Sequence, residues 1–80
     1  MDIKQEMTTI KSQAIDTPVN VGLPKSLADL VNQFEESYRE LFKSKIGKKH
    51  IVVFIMIHGQ EFTQGVVKGM KQKIDLLKTI

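Results

Sequence analysis

The 80-residue chain has no cysteine and no tryptophan. The absence of cysteine excludes disulfides and every thiolate metal site. Histidine is scarce too: His50 and His58 lie eight residues apart with no HExxH spacing, so a zinc centre would need carboxylates brought in by the fold, and no metal is expected. Four phenylalanines and one tyrosine offer little for stacking single-stranded nucleic acid. No glycine-rich phosphate loop, nucleophile elbow or acid pair is present, which argues against an enzyme and against a bound cofactor. The longest apolar run, residues 51–57, is seven residues long, whereas a helix needs roughly 20 to cross a bilayer. The first residues show no basic region leading into an apolar stretch, as a secretory signal would, so a cytoplasmic chain with no membrane partner is expected.

What the chain does have is a small excess of positive charge, +3 from 12 basic and 9 acidic side chains. It is unevenly placed. Residues 1–17 sum to −1 and residues 18–47 balance, while from residue 48 onward six lysines face only Glu61 and Asp75. Lys43, Lys45, Lys48 and Lys49 fall within seven residues and lead into His50. Such a cluster can hold a phosphate backbone through counterion release, or it can be an ordinary solvated turn. A domain this short buries only about 60–65% of its unfolded surface, and without disulfides or metal it is expected to rely on a partner chain, as a homodimer or higher oligomer.

Along the chain, residues 1–17 are polar and lack a sustained apolar period, and they read as a flexible arm. Val19, Val21 and Leu23 alternate with Asn20 and Gly22, the pattern of a short strand. Pro24 then ends the strand, and Ser26 with Asp29 resembles a capping box. Leu27, Leu30, Val31, Phe34, Tyr38, Leu41 and Phe42 follow at helical spacing, with a stop expected between Ser44 and Gly47, where Gly47 can take the left-handed conformation. Residues 51–57 are apolar on every side, so periodicity alone cannot tell strand from helix there. A last helix is expected over residues 61–77, and its Gly65 and Gly69 suggest a close helix contact.

The succession from Val19 through Pro24 to Val31, with its strand, proline, amphipathic helix and a later glycine turn, resembles the opening of the ribbon-helix-helix family of DNA-binding repressors. The resemblance implies a mostly α fold with one short β-strand, in which residues 18–80 form one domain and two chains pair their strands into a ribbon that enters the major groove. It implies that Asn20 and Gly22 face base edges and that Lys25, Lys48, Lys49 and His50 hold phosphates. Lys4 and Lys11 on the arm would add non-specific attraction. Val19, Val21, Leu23, Ile51, Phe54 and Ile55 would form the dimer core. The expected function is then double-stranded DNA binding by a small repressor or a plasmid or phage accessory factor. The same apolar pattern also fits an α+β domain of order β-α-β-α, with residues 51–57 as a second strand, acting as a protein–protein interaction module or inhibitor.

Overall fold

Helix formation starts where a capping aspartate, a proline or a glycine stands directly before an apolar pattern. In the computed structural model, which describes residues 2–13 and 23–79, this happens four times: α1 Ile3–Ser12, α2 Lys25–Phe42, α3 Lys48–His58 and α4 Gln60–Lys78. No strand is present among the described residues. The ribbon-helix-helix architecture and the β-α-β-α alternative are therefore both incorrect. Residues 19–22 of the expected ribbon lie outside the described residues. Leu23 is in irregular backbone directly before α2.

Residues 3–12 form a helix instead of the expected arm. The Asp2 carboxylate accepts from the Gln5 amide at 3.2 Å, and Glu6 in the first turn and Lys11 in the last both suit the helix dipole. Ile3, Met7 and Ile10, spaced four and three apart, turn one face inward, and Met7 and Ile10 are buried.

The long helix α2 begins one residue before Ser26. Pro24 occupies the cap position, no side chain caps the end, and the Leu27 and Ala28 amides both donate to the Pro24 carbonyl at 3.0 Å. The expected capping box is thus absent. At the other end Lys43, not Gly47, takes the left-handed conformation (φ 56°, ψ 35°), its amide donating to the Arg39 carbonyl at 2.9 Å. Gly47 is extended and serves instead as the cap of α3.

Residues 51–57 are helical despite their β-branched content. Gly47 ahead of them and Gly59 behind them mark a single three-turn helix, and an isolated strand there would have left its backbone groups without partners. Gly59 turns the chain at φ 94°, ψ 161°, a region open essentially to glycine alone. Its carbonyl accepts both the Thr63 amide at 3.2 Å and the Thr63 hydroxyl at 2.8 Å, which starts α4 and satisfies that fully buried threonine.

Three side-chain ties fix the directions. Lys71 donates to Gln33 at 3.0 Å and Lys78 pairs with Glu40 at 3.3 Å, so α4 runs parallel to α2. Lys48, at the start of α3, reaches Asn32 and Glu35 near the middle of α2, whereas Met56 near its end lines one groove with Leu23 and Leu27, so α3 runs antiparallel to α2. α1 lies against α3, where Glu6 pairs with His58 Nε2. Phe34, Phe54, Ile51, Val31, Tyr38, Val67 and Met70 fill the centre, with the Phe34 and Phe54 rings 5.3 Å apart.

Candidate protein-docking surface

α3 is apolar on all sides, but the chain covers only part of it. Ile51 and Phe54, three residues apart, are completely buried against the other helices. Val52, Val53 and Ile55 are half-buried, and Met56 and Ile57 stand 71% and 60% exposed. Large apolar side chains this open, next to one another, are the kind of surface that marks an interaction site.

Beside them lies a groove between α3 and the start of α2. It measures about 220 Å³ and is lined by Leu23, Leu27, Val31, Val52, Ile55 and Met56, all apolar. The local cause is the helical repeat: Leu27 and Val31 are four apart on α2, and Val52, Ile55 and Met56 fall on the facing side of α3. Met56 lies on the groove and is largely exposed, and Ile57, the next residue of α3, is exposed as well.

A larger groove of about 560 Å³ runs between the end of α2, α1 and α4, over Leu41, Phe42, Phe62, Val66 and Gly69, but Asp2 and Lys73 interrupt its apolar lining. A methyl group at Gly65 or Gly69 would meet nothing within 4 Å, so the close helix contact expected of these glycines is not made among the described residues.

The N-terminal end of α3 has the opposite character. Lys48 is tied down, its ammonium 2.8 Å from Asn32 Oδ1 and 3.5 Å from Glu35. Lys49 is exposed, and Lys11 of α1 comes close enough that both lysines disfavour protonation of His50. Burial is the larger cause, and together these hold the His50 pKa below its ordinary value. Its Nδ1 atom is buried with no hydrogen-bond partner among the described residues. On the core side, Tyr38 has its pKa raised, chiefly by burial and secondarily by the charge of Asp2.

Measured against the sequence expectations, Asn20, Gly22, Val19 and Val21 lie outside the described residues. Lys4, Lys11, Lys25 and Lys49 are exposed, and Lys11 and Lys49 both act on His50, whereas Lys25 is the first residue of α2 and Lys48 ties to Asn32 and Glu35 farther along that helix. Ile51 and Phe54, expected in a dimer core, are consumed by the core of the single chain, so a second chain cannot pack on them. Ile55 and Leu23 do line an open surface. Sequence reasoning missed Leu27, Val52, Met56 and Ile57 as surface candidates. The signal available was that seven consecutive apolar residues on a helix exceed what one buried face requires.

Among the described residues no group of His, Asp and Glu side chains could hold a metal ion, and no helix is long and apolar enough to cross a membrane. Comparison with protein-family models, curated proteins and solved structures found no match.

Proposed function

We propose that this chain is a small helical protein-interaction module that binds a partner chain through the groove between α2 and α3. The observation that carries the reading is the wholly apolar lining of that groove, with Met56 on it 71% exposed. Such a groove fits an apolar stripe on a helix of the partner, with Met56 supplying an adaptable contact. Binding, not catalysis, is the activity, and neither metal nor cofactor enters it.

The test uses the apolar dye ANS with chain at about 1 µM, a concentration at which weak self-association is negligible. Wild type is expected to raise dye fluorescence several-fold, and Met56→Glu with Ile57→Glu to abolish the rise while keeping the helical circular dichroism. Equal fluorescence from both proteins would end the proposal.

Double-stranded DNA binding is a second reading, favoured by the exposed Lys11 and Lys49, whose charges both act on His50. It predicts salt-dependent duplex affinity that falls when Lys11 and Lys49 are replaced by alanine, with no dependence on Met56. The basic end of α3, not a ribbon, would then make the contact.

A further inference from the structure

We infer that Met56 is a reversible oxidation site, at which a hydroperoxide converts the thioether to a sulfoxide and so turns off docking in the groove between α2 and α3, a regulation that rests on the docking surface proposed above.

Composition gives the first reason. With no cysteine and no tryptophan, methionine sulfur is the most readily oxidised group the chain has, and no thiol competes for the oxidant. Exposure then selects among the methionines. Met7 and Met70 are 1% and 3% exposed and belong to the core, whereas Met56 is 71% exposed. Met1 lies outside the described residues. Unlike a thiol, a thioether needs no deprotonation to react, so access and not a neighbouring base sets its rate.

Position gives the second reason. Met56 lines the groove with Leu23, Leu27, Val31, Val52 and Ile55, none of which has a side-chain hydrogen-bond donor. A partner's apolar stripe seated there would bury the sulfoxide oxygen with no donor supplied by the groove lining, which weakens docking by about tenfold or more. The core face of α3 belongs to Ile51 and Phe54, so oxidation of the exposed Met56 leaves the fold in place.

The step consumes one hydroperoxide molecule. The sulfur lone pair attacks the peroxide oxygen, an S–O bond forms and the O–O bond breaks. The departing hydroxide or alkoxide takes the proton from the transferred oxygen and leaves as water or alcohol, so sulfur gives up an electron pair and the peroxide is reduced. Methionine sulfoxide reductases reverse the change, one enzyme for each sulfoxide epimer.

The test treats the folded chain with hydrogen peroxide and follows each methionine by peptide mapping. Trypsin places Met7, Met56 and Met70 on separate peptides, residues 5–11, 50–68 and 69–71. Met56 is expected to gain an oxygen at least about tenfold faster than Met7 or Met70. ANS fluorescence with about 1 µM chain is expected to fall by about half or more as the Met56 sulfoxide forms, with helical circular dichroism unchanged, and to recover after treatment with both reductases. Met56→Leu should keep its fluorescence through the peroxide treatment, and Met56→Gln should start at the lowered value.

Oxidation of Met56 no faster than that of Met7 and Met70 overturns the site. Complete Met56 sulfoxide with undiminished fluorescence, while Met56→Glu with Ile57→Glu still abolishes the dye signal, overturns the regulation and leaves the docking surface standing. A loss in Met56→Leu equal to that of wild type also overturns it, by placing the effect elsewhere. Equal fluorescence from unoxidised wild type and the double glutamate variant removes both.

Discussion

Ile51 and Phe54 are fully buried, while Met56 and Ile57, on the next turn of the same helix, are 71% and 60% exposed. The four side chains are similar in size and equally apolar, so composition cannot explain the difference. What separates them is which neighbours the chain brings. Phe54 is met by Phe34 of α2, by Phe62 of α4 and by His58, whose ring lies 4.5 Å away and is itself paired with Glu6 of α1. Nothing comparable reaches Met56, whose side faces an open groove. An apolar run thus has two roles in one helix: three helices close over one face, and the other is left for something outside the described chain.

The sharpest way to break that contrast is to truncate one side chain from each face. Phe54→Ala should cost about 3–5 kcal/mol because it empties the centre of the core, whereas Met56→Ala should change stability by less than about 0.5 kcal/mol. Urea denaturation at low protein concentration measures both. Equal losses would show that the open face is covered within the chain.

The next largest effect belongs to the residue that ends α3 and so limits the open face. Gly59→Ala should destabilise by about 1–3 kcal/mol, since its backbone angles are closed to a side chain. The space around it is empty, so the loss is conformational and not steric. Thermal unfolding of Gly59→Ala beside Gly65→Ala, a helical glycine with equal space, separates the two causes. Gly65→Ala should stabilise, as alanine favours a helix interior.

Lys43 tests the other end of the α2–α3 connection. Its left-handed backbone strains a side-chain-bearing residue, so Lys43→Gly should raise stability by up to about 1 kcal/mol. A chemical denaturation midpoint that moves upward checks this.

The smallest effect is the pH response of the basic end. Burial and the charges of Lys49 and Lys11 lower the His50 pKa in the folded chain, so the unfolded chain binds the proton more readily. The contribution of His50 to stability is therefore present above the ordinary histidine pKa of about 6.5 and is lost as pH falls through the lowered folded value. His50→Gln should flatten the decline in melting temperature between neutral and mildly acidic pH. An unchanged decline would show that His50 does not carry it.

Local signals made several elements legible in advance. The apolar spacing from Leu27 to Phe42 predicts α2, the stripe through Phe62, Val66, Met70 and Ile74 predicts α4, and the glycines on either side of residues 51–57 bracket α3. α1 is not legible in this way: the polar composition of residues 1–17 reads as an arm, and Ile3, Met7 and Ile10 are too few inward positions to set a period against it. The ribbon was the most costly misreading: it rests on a few alternating residues, most of them outside the described residues, and the short strand it required is absent from the part that is described. The β-branched run was ambiguous for a different reason. A segment apolar on every side has no period to read, and its neighbours decide whether it is helix or strand.

By itself, then, the sequence determined where helices can start, stop and turn one face inward, because caps, glycines and 3.6-residue spacing act over a few neighbouring residues. It also determined that α3 has more apolar surface than one face can use. Only the tertiary structure decided which face is used, since that depends on Phe34, Phe62 and Met7 arriving from three other helices while a groove stays open between α3 and the start of α2. Burial is a property of what lies opposite a side chain, and Ile51 and Ile57 carry the same side chain with different things opposite them.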